Sequence, residues 1–99
     1  MKPETYLRRR ICDMIRREFP DAWVYHPAFM LRAGLPDLFI CYRGRFIGLE
    51  VKTPIGTINP LQRYTLDEIK RCGGVGEFVR SVDEVRNVLK EIKTLDNKK

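Results

Sequence analysis

The stretch 34–52, GLPDLFICYRGRFIGLEVK, decides the architecture. It holds two apolar runs, Asp37–Tyr42 and Arg45–Lys52, with only Arg43 and Gly44 between them. A two-residue gap of this kind signals a tight hairpin, whose central residues take positive φ and welcome glycine. Both runs are almost continuously aliphatic and aromatic, which predicts strands covered on both faces. In an antiparallel hairpin the start of the first strand lies beside the end of the second. Asp37 is thereby brought next to Glu50 and Lys52, and these two, spaced by two, point to the same face.

Upstream, Ala22–His26 (AWVYH) reads as a short first strand, followed by a loop over Pro27–Pro36. Before it, Leu7, Ile11, Met14, Ile15 and Phe19 recur every three or four residues, predicting a helix over Pro3–Phe19 that Pro20 stops. The other face of this helix carries Arg8, Arg9, Arg10, Arg16 and Arg17, a solvated face or a set of phosphate contacts. Downstream, Thr53-Pro54-Ile55-Gly56 breaks the strand. Asn59 suits an N-cap, Pro60 the first helical position and Gly73-Gly74 the end of a second helix, with Leu61, Tyr64, Leu66 or Thr65, and Ile69 available to the core. Val75–Arg80 is a fourth strand, expected parallel to the third through a right-handed crossover. Ser81-Val82-Asp83-Glu84 is a capping box for a third helix with stripe Val82, Val85, Val88, Leu89 and Ile92, and Thr94–Lys99 is expected to fray. The order α, β, β, β, α, β, α predicts one compact α/β domain over residues 1–99, with helices on a four-stranded mixed sheet.

At 99 residues and 43% hydrophobic content the chain supports one core, and a domain so small gains stability by pairing with a second copy. Lys and Arg number 19 against 13 Asp and Glu, a formal charge of +6 that suits a polyanionic partner. Three widely spaced cysteines, Cys12, Cys41 and Cys72, offer no disulfide framework or CxxC pair and read as buried thiols in a reducing compartment. A lone histidine, His26, does not make a zinc site. No secretory leader and no membrane-spanning run is evident, which points to the cytosol.

The chemistry concentrates at the hairpin's edge. Two carboxylates and an ammonium at the margins of apolar strands cost several kcal/mol to bury unless something compensates. A hard divalent cation does so: Mg²⁺ or Mn²⁺ accepts two acidic side chains, a main-chain carbonyl such as that of Val51, water and phosphate oxygens. Such a site polarises a phosphodiester, and Lys52 beside it can orient a water or offset charge on the phosphorane.

Gly34-Leu35-Pro36-Asp37, twelve residues, then Glu50-Val51-Lys52 resembles the PD-(D/E)xK nuclease superfamily. With Gly44-Arg45, Thr53, Leu61-Gln62 and Gly73-Gly74 added, essentially the whole chain resembles the VRR-NUC family of virus-type replication-repair nucleases. The resemblance implies a restriction-endonuclease-like domain with an αβββαβ core and an added C-terminal helix. It implies Asp37 and Glu50 as metal ligands, Lys52 as the catalytic lysine, Gln62 as an active-site glutamine and an acid from the first helix. Glu4 is the best match for that acid, with Asp13 and Glu18 on the same helix as alternatives. It further implies a Mg²⁺-dependent endonuclease on branched DNA, such as a Holliday-junction resolvase acting as a homodimer, in the cytoplasm of a bacterium or a phage-infected host.

Around this centre, Arg32, Arg63 and Tyr64 are candidates for DNA contacts, against an ordinary solvated surface. Trp23 and Phe29 read as core or as contacts to a second copy, or if exposed as wedges into a distorted DNA stack, and His26 as a polar strand end more than a base. Two rivals remain in other classes: a non-catalytic DNA-binding module that retains the fold, and a structural subunit whose basic face meets an acidic protein.

Overall fold

The computed structural model describes residues 2–28 and 32–98; Phe29 lies outside them. The elements run α1 (Pro3–Glu18), β1 (Trp23–Tyr25), β2 (Leu38–Tyr42), β3 (Arg45–Val51), α2 (Pro60–Arg71), β4 (Val75–Val79) and α3 (Val82–Asn97). The sheet order is β1-β2-β3-β4, antiparallel except for the parallel β3–β4 pair. That is the mixed four-stranded sheet expected from the order of apolar runs.

Local chemistry accounts for most boundaries. Arg43 and Gly44 take φ of 52° and 78°, as a two-residue turn with both central residues left-handed requires. The Asn59 side chain accepts from the Leu61 N–H at 2.8 Å, satisfying one free donor at the start of α2. Gly73, at φ 94°, ends that helix, and Gly74 N–H returns to the Ile69 carbonyl at 2.9 Å. At α3, Ser81 Oγ accepts from Glu84 N–H at 3.1 Å, but Glu84 reaches back to the Arg80 N–H at 3.0 Å, one residue beyond the position a capping box specifies.

One face of the sheet is closed by α1 and α3. Ile11, Met14 and Ile15 of α1 and Val85, Leu89 and Ile92 of α3 meet Leu38, Ile40, Tyr42, Ile47, Leu49, Val51 and Val79, all nearly or fully buried. The other face is only half covered. There α2 packs on β3 and β4, close enough that a Cβ at Gly76 would sit 2.5 Å from the Leu66 carbonyl oxygen. Phe39 is half-buried and Cys41 and Phe46 are exposed, so β2 and the start of β3 are not buried on both faces as their hydrophobicity suggested.

Other expectations are revised for related reasons. Leu61 and Tyr64 are 45% and 54% exposed, leaving Thr65, Leu66 and half-buried Ile69 to pack α2. Cys41 and Cys72 are exposed and Cys12 half-buried, so the thiols are not core residues. Trp23 is exposed and is not core. α3 continues to Asn97, into the stretch expected to fray, and Asp96 pairs with Arg43 of the hairpin turn at 2.9 Å. Among the described residues, no helix is long and apolar enough to cross a membrane.

Candidate active site

The register Leu38↔Leu49 places Asp37, one residue before β2, opposite Glu50 near the end of β3. Opposed residues of a sheet share a face, so both carboxyls lie on the α2 side. They come within hydrogen-bonding reach of each other. Asp37 is further fixed by its own neighbours. Its Oδ2 accepts from the Val51 N–H at 2.9 Å, and its carbonyl accepts from His26 Nδ1 at 2.7 Å. A carbonyl oxygen can only accept, which assigns the proton to Nδ1 of His26.

Glu50 is 3% exposed, and its Oε2 has no hydrogen-bond partner among the described residues. Burial is the first cause that pushes its pKa well above the carboxylate range, to about 9. The Asp37 carboxyl raises it next, Glu4 adds a smaller push, and Lys52 opposes all three. A buried carboxyl facing other acids resists ionisation unless a cation joins it.

Glu4, exposed in the first turn of α1, is the helix acid whose charge reaches Glu50. Neither alternative on the same helix acts on Glu50. Asp13 lies in a cleft lined by Arg8, Arg9 and Arg16, and Glu18 pairs with Arg86 at 2.8 Å. On the opposite side, Gln62 lies in the first turn of α2, with Oε1 buried and lacking a partner among the described residues. Gly34, at φ 84°, brings the loop before Asp37 against that turn: a Cβ there would stand 2.7 Å from Leu61 Cγ.

Two contributors were not visible in the sequence reading. Arg80, just after β4, donates to the carbonyls of Thr53 and Gly56 at 2.5 and 3.0 Å and braces the loop that follows Lys52. The parallel register Val51↔Val79 carries the signal, since it sets residue 80 beside residue 52, but only once the strands are paired. The other is the His26 contact, for which the sequence gives no cue beyond a polar residue at a strand end.

The expected DNA contacts divide. Arg32 is held by Glu68 of α2 at 2.6 Å and lines an apolar groove of about 400 Å³. Arg63 stacks over the Phe78 ring at 4.9 Å, and Tyr64, under Arg71 at 5.8 Å, is exposed.

Among the described residues, no three His, Cys, Asp and Glu side chains are grouped to hold a metal. The donor set is two carboxylates with the Val51 carbonyl. In a strand the N–H and C=O of one residue point the same way, so that carbonyl faces the side on which its N–H meets Asp37. Mg²⁺ commonly takes one or two carboxylates and completes its shell with water and phosphate, so these residues fit it. The unpartnered Glu50 oxygen is the atom such a cation would satisfy.

No protein-family model and no curated protein matches the chain. Among solved structures, a chain described as a VRR_NUC domain matches with a TM-score of 0.64 at 22% identity, over 82% of this chain and 91% of that one. The chain has the fold of a VRR_NUC domain.

Proposed function

We propose that this VRR_NUC-fold chain is a VRR-NUC nuclease: a Mg²⁺-dependent endonuclease, with Mn²⁺ able to substitute, that hydrolyses phosphodiesters in branched DNA. A four-way junction is the expected substrate and a homodimer the working form. The observation that carries this reading is the buried carboxyl of Glu50, one oxygen of it unpartnered, opposite Asp37, with Lys52 beside it at the open end of the hairpin.

Asp37, Glu50 and the Val51 carbonyl would hold the ion, which when bound polarises the phosphate and acidifies water. The chain's own residues do the positioning. The Val51 N–H holds the Asp37 carboxylate, and His26 holds the main-chain carbonyl of the same residue. Lys52 presents an ammonium that orients the attacking water and offsets charge on the phosphorane. Gln62 would contribute an amide from α2, and Glu4 an acid from α1. Tyr64 and Arg63 extend from the helix that carries Gln62 and would meet the flanking backbone.

A homodimer is supported by the bare half of the sheet. Trp23 and Tyr25 stack at 5.8 Å, and Phe39, Cys41 and Phe46 continue their face across β2 and β3. These five residues carry no charge in a chain that is 32% charged. Depletion of charge with aromatic enrichment marks the core of an interface, and a second copy can cover the face without bringing cations together.

The test compares wild type with Lys52→Ala on four-way junction, flap, single-stranded and linear duplex DNA, each in Mg²⁺, Mn²⁺ or EDTA. Wild type should cut a branched substrate only with metal, and the variant should lose at least about a hundredfold in rate while still binding. If neither protein cuts and both bind, the chain is a DNA-binding module and the nuclease reading is wrong.

A further inference from the structure

The arginine run on α1 is not used by the site described above, and helical geometry divides it. Arg10 turns toward the Tyr6 ring, 5.8 Å away. Arg8, Arg9 and Arg16 instead line a cleft of about 440 Å³ with Cys12, Asp13 and His26. Residues 8, 12 and 16 follow the four-residue repeat of one helix face, and residue 9 is two turns from residue 16. The lining therefore holds three guanidiniums against one carboxylate. That carboxylate, Asp13, meets Arg16 at 3.6 Å with both side chains 67% exposed, an arrangement that contributes little and leaves Arg16 free to exchange partners. Arg8 and Arg9 have no carboxylate partner among the described residues.

The cleft joins the candidate active site through one side chain. His26 lines it, and Nδ1 of the same ring donates to the Asp37 carbonyl at 2.7 Å. A ligand in the cleft would thus sit one imidazole from the backbone of the first carboxylate. Several guanidiniums converging beside a phosphodiester site match further phosphates of the same substrate, because the planar fork fits phosphate oxygens and neutralising them releases counterions.

We propose that the cleft between α1 and the end of β1, formed by Arg8, Arg9, Arg16 and His26, is a second phosphate-binding subsite. It holds the DNA backbone beyond the scissile phosphate, on the side of the sheet away from α2. The inference rests on the nuclease reading and assigns the substrate's path across the molecule. Arg8 and Arg9 are binding residues here, remote from the reacting atoms.

The experiment measures DNA affinity by fluorescence anisotropy from 50 to 200 mM salt in EDTA, which prevents cleavage. Wild type, Arg8→Ala/Arg9→Ala and a control, Lys90→Ala/Lys93→Ala, are compared. The two double variants lose the same charge, the control from α3. If Arg8 and Arg9 each neutralise one phosphate, the slope of log K against log salt falls by about 1.8 in the first variant, and the wild type loses about 12-fold more affinity than that variant over the range. The control should keep the wild-type slope. In Mg²⁺ the arginine variant should lose kcat/KM mainly through a raised KM. Equal slope changes in both variants, or none in the first, would overturn the subsite while leaving cleavage by wild type intact. Failure of wild type to bind DNA at all would overturn both this and the proposed function.

Discussion

Glu50→Gln should make the metal-free protein more stable, an unusual result for a change at the centre of a site. Glu50 is 3% exposed, one of its oxygens lacks a partner, and its pKa is raised from 4.5 to about 9, by burial first and Asp37 second. A group whose folded pKa lies above its unfolded one favours the native state when protonated. That contribution is fully present below pH 4.5 and is lost as pH rises toward 9. Each pH unit inside this window removes up to about 1.4 kcal/mol. Glutamine keeps the shape, carries no charge and offers an amide donor to Asp37. A chain of this length shifts its melting temperature by about 4–8 °C per kcal/mol. In EDTA at pH 8, Glu50→Gln should therefore melt at least about 5 °C above wild type, and the gap should narrow as pH falls to 5. Glu18, whose pKa is lowered by its bond to Arg86, acts below this window and cancels in the comparison. Millimolar Mg²⁺ should raise the wild-type melting temperature and leave the variant's unchanged. Differential scanning fluorimetry over pH 5–8, with and without metal, reads all of this. A variant that melts below wild type at pH 8 in EDTA, or a gap independent of pH, would refute the reasoning.

Two further substitutions test the frame around the site. Phe46→Asp places a charge on the bare aromatic face, where the ring is 43% exposed in the single chain, so it should leave the fold intact and convert a dimer to a monomer in sedimentation velocity; a monomeric wild type at micromolar concentration would remove the dimer from the proposal. Gly34→Ala puts a methyl 2.7 Å from Leu61 Cγ at a φ of 84°, and should cost about 1–3 kcal/mol and weaken cleavage by moving the loop before Asp37 off α2; an unchanged melting temperature would show that the loop and helix separate freely.

Much of this site could be read from sequence because its logic is local. The Arg43-Gly44 turn fixes the hairpin register, and that register alone opposes Asp37 to Glu50 and sets Lys52 two residues on. Caps at Asn59 and Gly73 locate the helix that brings Gln62. What escaped depended on tertiary packing. Hydrophobicity cannot tell a strand buried on both faces from one whose second face is bare, so Phe39, Cys41 and Phe46 read as core. Nor does periodicity choose among Glu4, Asp13 and Glu18 on one helix. Arg86, on a different element, holds Glu18, and Asp13 lies in the cleft beside Arg8 and Arg9. The bracing of the 53–56 turn by Arg80 joins residues far apart in sequence and has no motif.

The bond from the Val51 N–H to Asp37 Oδ2 also bears on how such a chain can change over generations. That carboxylate stands in for a missing rung at the end of the β2–β3 ladder, so the residue that would hold the ion also closes the sheet. Lys52 is half-exposed, and its side chain makes no hydrogen bond among the described residues. Lys52 acts on the fold only through its charge near Glu50, so selection for folding alone guards the aspartate more strictly than the lysine. A lineage drifting from cutting DNA to holding it would shed the lysine first and keep the aspartate long after its chemistry had lapsed. A descendant with aspartate but no lysine at these positions is then best read as a retired enzyme.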